Sequence, residues 1–192
     1  EHGRDWDHFA DHVCIHTNDT HPAMCGPELM RLLVDVYGLD FDQAFKIASA
    51  SISYTNHTVM PEALEKWPIE TFRHLLPRLY MFIEEVDRRY RENLMREEVN
   101  ADLLASTAIL WDGQVRMANL SIIFSHSVNG VSDLHTSILE QTVLRDFYRL
   151  RPEISREIQQ QDKRCLPPSF LGAGKPSICK AYYRCHRNKM AG

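Results

Sequence analysis

Short apolar runs that break off into polar loops, each followed by an amphipathic stretch, recur along this chain and point it to an α/β architecture. The first run is Val13-Cys14-Ile15-His16-Thr17, which predicts a buried strand ending at the loop Asn18-Asp19-Thr20-His21-Pro22. Pro27 and Glu28 suit the first turn of a helix whose stripe is Leu29, Leu32, Leu33 and Val36, and Gly38 is a natural stop. Asp40 with Gln43 resembles a capping box for a second helix. Phe41, Ala44, Phe45, Ile47 and Ala48 keep helical spacing there, up to a polar break at Tyr54-Thr55-Asn56-His57-Thr58.

The clearest helical period runs through Phe72, Leu75, Leu76, Leu79, Phe82, Ile83, Val86 and Tyr90, with charged residues between them. Pro68 fits its first turn, and Pro77 removes a backbone donor and should bend or interrupt it. Trp111-Asp112-Gly113-Gln114 offers a hairpin-like turn, and Leu120-Ser121-Ile122-Ile123-Phe124 reads as a buried strand. A third polar loop, Ser125 to Gly130, leads into Val131 to Leu150, where Leu134, Ile138, Leu139, Thr142, Val143 and Phe147 form another helical stripe. The expectation is a helix-rich α/β fold with few strands. Its three polar loops should converge on one face, since ligands of such sheets collect at the carboxyl ends of the strands.

Composition narrows the function. With 192 residues, 44% of them hydrophobic and 25% charged, the chain can bury one domain's core. Its net charge of −4 comes from 22 basic and 26 acidic residues, the basic ones dispersed until the last stretch, so neither a nucleic-acid nor a membrane partner is expected. No apolar run approaches the ~20 residues of a membrane helix, and the chain reads as soluble. Five cysteines, with Cys14 and Cys25 in apolar surroundings, favour reduced thiols and a cytoplasmic location.

Each polar loop holds a His beside small hydrogen-bonding residues. Such a set suits a polyhydroxylated ligand, whose hydroxyls need donors and acceptors at fixed positions. Two other readings stand beside it. The residues could be N-caps and turn formers serving the local backbone, or Asp19-Thr20-His21 could contribute to a metal site, although no HExxH or paired CxxC accompanies it.

Three stretches together resemble one family: CIHTNDTHPAMCGPELMRLLVD (14–35), YTNHTVMPEALEKWPIETFRHLLPR (54–78) and VRMANLSIIFSHSVNGVSDLHTSIL (115–139) look like consecutive segments of the glycogen, starch and maltodextrin phosphorylases. The resemblance runs from residue 1 to about Ile154 and makes this stretch part of the sugar-binding domain of such an enzyme. It implies a retaining glycosyltransferase of GT-B type, with two Rossmann-like domains. Such an enzyme transfers the terminal glucosyl unit of an α-1,4-glucan to inorganic phosphate, giving α-glucose 1-phosphate. It also implies a pyridoxal phosphate cofactor, whose lysine belongs to the second domain and lies outside this chain, and a homodimeric parent.

By the same resemblance, Asp19 and His21 match positions lining the donor and neighbouring sugar subsites. His57 matches the residue next to the glucosyl 6-hydroxyl, and with Asp19 it is the candidate for stabilising the charged transition state. Glu62 and Ala63 match positions near outer glucan subsites, although Glu62 could instead complement a helix dipole. Val131 and Ser132 match positions beside the bound sugar, where Gly130 would permit close backbone approach. His126 is read as a buried structural histidine. Gly26 stands where the family has a larger apolar residue, so a loosened helix start is expected there. The isolated chain is expected to be catalytically incompetent, the alternative function being that of a glucan-binding remnant.

From Ser155 the resemblance ends. Back-translating from Ile158 and reading one base later yields FNNKTNGVSHRRFL, which restores the family's next motif, so residues 155–192 are read as frame-shifted and expected to pack poorly. The rival reading takes Cys165, Cys179, Cys185 and His186 as a zinc site, but their spacing fits no closed pattern.

Overall fold

The computed structural model describes residues 5–58 and 60–151. The tail read as frame-shifted, with its candidate zinc residues, lies outside them. Three strands, β1 (Ile15–Asn18), β2 (Ile52–Asn56) and β6 (Ser127–Gly130), form a parallel sheet in the order β1-β2-β6. The register sets Asn18 beside Thr55, Thr55 beside Asn129, and Asn56 beside Gly130. A second, antiparallel sheet joins β3 (Lys66–Pro68), β5 (Gln114–Arg116) and β4 (Leu110–Trp111) in that order. The mixed helix-and-sheet class with a parallel sheet is as expected; several elements differ.

The stretch taken as a polar break between helices contains the central strand. All five residues of β2 are buried, because it pairs on both sides and is covered above and below. β1, expected to be buried, lies on the outside of this sheet with only Thr17 buried. Ser127 to Gly130, read as loop, is β6. Conversely, Leu120 to Phe124, read as a strand, belongs to helix α7 (Met117–Ile123) and its C-terminal cap, Phe124. All seven α7 residues are buried, so the segment shows no polar face from which a period could be read.

Helix α2 (Cys25–Arg31) starts two residues before Pro27 and passes into a π-helical turn, Leu32–Val36, before Gly38 closes it at φ +73°. Gly26 is not a loosened start. A Cβ there would come within 2.6–2.9 Å of the Phe124 side chain, so the ring fills the space a larger residue would occupy. Helix α3 (Phe41–Ser51) is capped by Asp40, whose carboxylate accepts from Gln43 N at 2.9 Å.

Pro77 interrupts the long helix as expected, giving α4 (Ile69–Leu75) and α5 (Pro77–Arg96), with Pro77 at the first position of α5. The buried face of α5 carries Tyr80, Phe82, Ile83, Val86, Asp87, Tyr90 and Leu94. Helix α6 (Ala101–Thr107) is closed by Asn119 of α7, whose amide donates to the carbonyls of Ser106 (3.0 Å) and Ala108 (2.8 Å). The 110–116 hairpin turns at Asp112 and Gly113, both at positive φ, as the expected turn requires.

The helix expected over Val131 to Leu150 is two, α8 (Asp133–Gln141) and α9 (Arg145–Leu150). Thr142 leaves the helical region, and its hydroxyl bonds back to Ile138 O at 2.8 Å. Leu139 and Phe147 of this stripe are buried, whereas Leu134 (73%) and Ile138 (40%) are exposed and face away from the core. Among the described residues no helix is long and apolar enough to cross a membrane.

Candidate functional site

Because β1, β2 and β6 run parallel, the segments that follow them leave the sheet at the same edge. That edge carries Asn18 and Asp19, then Asn56 and His57, then Gly130, Val131 and Ser132. Hydrogen bonds tie the three ends together. Asp19 N donates to Thr55 O at 2.8 Å, and His57 Nε2 bonds to Asn18 Oδ1. Beneath them His16 Nε2 meets Thr55 Oγ1 at 2.6 Å, and Thr55 Oγ1 donates to Asn129 Oδ1 at 3.0 Å, so one chain of side chains crosses all three strands. Such a network holds the loops in fixed relation without relying on a ligand.

Asp19 sits in the left-handed region at φ +62°, a conformation that Asp tolerates better than most residues. Its Oδ1 accepts from Thr20 N at 2.7 Å. Thr20 is buried and donates through its hydroxyl to Glu65 Oε2 at 2.6 Å, which anchors the first loop to the segment after the second. His21 follows on the exposed rim of the same loop. His57, Val131 and Ser132 are all exposed at this edge, Val131 by 56%.

Glu62 and Ala63 lie further along, both exposed on the 3₁₀ turn Pro61–Ala63. A single turn has little dipole for Glu62 to complement, so the dipole reading loses its basis. His126, read as a buried member of the third loop, is instead half-buried just before the amino end of β6, at the far end of the strand from Val131, with its backbone N–H on Ile52 O at 3.0 Å. It belongs to the scaffold. Among the described residues no group of three or more His, Cys, Asp or Glu side chains stands together as a metal site.

Several residues that build this edge did not stand out in the sequence, namely His16, Glu65, His135 and Thr136, while Asn18, Thr55 and Asn129 were marked there only as members of the polar loops. The signal that could have found most of them is strand register, since side chains two apart share a face and His16, Thr55 and Asn129 are cross-strand or diagonal neighbours. His135 and Thr136 are one helical turn beyond the Ser132 N-cap, which accepts from His135 N at 3.2 Å.

Two histidines are pulled below the ordinary imidazole value. Burial is the larger cause for both His16 and His135, and repulsion from His57 adds to it. The folded chain therefore resists protonating both at the pH where the unfolded chain titrates, near about 6.5. Above that pH their contribution to stability is complete; as the pH falls beneath it the unfolded chain takes up protons that the folded one resists. Urea unfolding compared at about pH 7.5 and about pH 5.5 is expected to show a loss at the lower pH. The double variant His16→Asn/His135→Asn should show less of it. An equal loss in the wild type and the double variant would assign the effect to other groups.

The chain matches the carbohydrate phosphorylase family over residues 1–159. It is 43% identical over 176 residues to the brain form of glycogen phosphorylase from Rattus norvegicus, and 42% identical over 178 residues to the H isozyme of alpha-glucan phosphorylase from Triticum aestivum; each alignment takes in 90% of this chain and 21% of the relative. With the glycogen phosphorylase of Bacillus subtilis the identity is 48% over 142 residues, 73% of this chain and 18% of the relative. The chain thus spans about a fifth of the length of these relatives. With a family match over most of its length and relatives in animals, a plant and a bacterium, the chain belongs to the carbohydrate phosphorylase family.

Proposed function

We propose that this chain supplies one glucosyl-binding edge of an α-1,4-glucan phosphorylase of GT-B type, a cytoplasmic, homodimeric enzyme that passes the terminal glucosyl unit of a glucan to inorganic phosphate. The observation that carries this reading is the cross-tied edge itself. Three parallel strands end side by side in Asp19, His57 and Val131, with Asn, Thr and Ser between them. Fixed neutral donors and acceptors are what sugar hydroxyls require. In this reading Asp19 and His21 hold hydroxyls of the glucosyl unit and its neighbour, and Glu62 and Ala63 lie toward the outer glucan. Val131 and Ser132 line the sugar through backbone and small side chains. His57 serves twice: its ring and carbonyl face the 6-hydroxyl, and preorganised dipoles of this kind stabilise charge developing on the ring.

The edge is half of a site. None of the three loops carries Lys or Arg, so the loops offer phosphate no cationic partner. Pyridoxal phosphate does not fit the described residues either. Lys46 lies on α3 in a cleft with Trp6, Asp7 and Asp40, and Lys66 on the exposed β3; neither belongs to the three loops. In this reading the cofactor lysine and the phosphate subsite belong to a second domain, and no catalytic step is assigned to this chain through them. Residues 155–192 are taken as frame-shifted, which sequencing of the coding DNA tests.

Titration of the chain with maltoheptaose, followed by backbone amide shifts, is expected to perturb Asp19, His57, Val131 and Ser132. Maltoheptaose, inorganic phosphate and pyridoxal phosphate together should give no glucose 1-phosphate. Perturbations confined to the opposite edge of the sheet would reject the site, and product formation would reject the half-site reading.

A further inference from the structure

The Gly130–Val131 peptide is held from both sides. Its carbonyl accepts from Asn129 Nδ2 at 2.8 Å, and its N–H donates to His135 Nδ1 at 2.9 Å. One residue earlier the Gly130 N–H donates to Thr136 Oγ1 at 2.9 Å, and that hydroxyl donates in turn to Ser132 O at 2.9 Å. The first turn of α8 thus receives the N–H groups of both Gly130 and Val131. Asn129, bonded through Thr55 to His16, fixes the remaining carbonyl.

A ring nitrogen that accepts an N–H cannot carry a proton, so the neutral His135 ring has its hydrogen on Nε2. That Nε2–H is buried with no partner among the described residues, on a residue only 8% exposed. Leaving a buried donor unpaired costs stability, yet the opposite tautomer would set two N–H groups against each other at Val131. The acceptor contact at Nδ1 accounts for where the ring stands.

We propose that His135 is a positioning residue of this site: neutral, with its proton on Nε2, it fixes the Gly130–Val131 peptide so that Val131 and Ser132 hold their place beside the sugar. The sugar part of this inference rests on the functional reading given above. Because the Val131 N–H is committed to His135, the glucan meets other groups of this loop, and the ring itself makes no contact with the reacting atoms.

Long-range proton–nitrogen correlation spectra of the whole 192-residue chain test the tautomer directly, with His135 assigned through its own backbone. The expected result is a protonated Nε2 and a bare Nδ1, and a protonated Nδ1 or an average of the two forms overturns the proposal. His135→Asn places an oxygen where Nδ1 was, whereas His135→Gln reaches only the Nε2 position. Hydrogen exchange at the Val131 amide should stay slow in the first and accelerate by about tenfold or more in the second. Maltoheptaose affinity should follow the same order. Equal Val131 exchange in the two variants overturns the positioning role. The expected tautomer and exchange pattern with no maltoheptaose response in the wild type would uphold the fixing of the peptide and overturn the sugar reading instead.

Discussion

Replacing Asp87 by Ala is expected to lower the unfolding free energy by about 2–4 kcal/mol, because it strands two backbone amides at about 1–3 kcal/mol each and unpairs a half-buried Arg91. Asp87 is 3% exposed on the inner face of α5. Its Oδ2 pairs with Arg91 Nε at 2.7 Å, and its Oδ1 accepts from the backbone N–H groups of Ile109 (2.7 Å) and Leu110 (3.2 Å). Arg91 completes the clamp by donating to Leu110 O. Burial pushes the Asp87 carboxyl up, against the opposing pull of Arg91 and the two amides, so the pair is no source of large net stabilisation. Removing the carboxylate is nevertheless severe, since it leaves two amides without their acceptor and the guanidinium with Leu110 O alone where α5 meets the hairpin. The exposed Arg89–Asp42 pair is the control, and Asp42→Ala should cost no more than about 1 kcal/mol. Urea unfolding of the two variants decides; comparable losses would mean that the Asp87 clamp is not what joins these elements.

The parts of this fold that were legible in the sequence are those decided within one turn of chain. Asp40 caps α3, Gly38 and Pro77 break helices where their backbone preferences demand, and Asp112-Gly113 turns a hairpin. The illegible parts depend on partners far away. β2 carries Ser53, Thr55 and Asn56 and is still a fully buried central strand, because His16 and Asn129, 39 and 74 residues distant, bond to Thr55, and Asn56 bonds to Tyr54 OH. α7 is helical although its apolar run suggested a strand, for a segment buried on every side displays no period. The site divides in the same way. The resemblance marked Asp19, His57 and Val131, residues at the loop tips, while the residues fixing those tips act through backbone groups and register and are silent in a one-dimensional reading.

Gly130 is where scaffold and site meet, and Gly130→Ala is expected to damage both. A Cβ there would stand 2.7 Å from His135 Nδ1, 2.8 Å from Thr136 N and 3.0 Å from His135 Cγ. A rotamer change could move the ring, but Thr136 N is backbone, so relief requires α8 to shift its first turn away from β6. That shift stretches the Gly130–Thr136 and Val131–His135 hydrogen bonds together. Overpacking of this kind costs about 1–3 kcal/mol, and each lost hydrogen bond about 1 kcal/mol more. The consequence at the site follows from the hydrogen bonds to sugar that a displaced loop no longer makes: one or two of them at about 1 kcal/mol each should weaken maltoheptaose binding by roughly 5- to 30-fold, with the amides of Val131 and Ser132 moving most. Gly38→Ala separates strain from crowding. Gly38 has φ +73° and nothing within 4 Å of a new Cβ, so its substitution should cost about 1–2 kcal/mol through the backbone alone and leave maltoheptaose binding unchanged. If Gly130→Ala unfolds at the wild-type urea midpoint and binds maltoheptaose as the wild type does, the close approach of α8 to the third loop is not what holds the site.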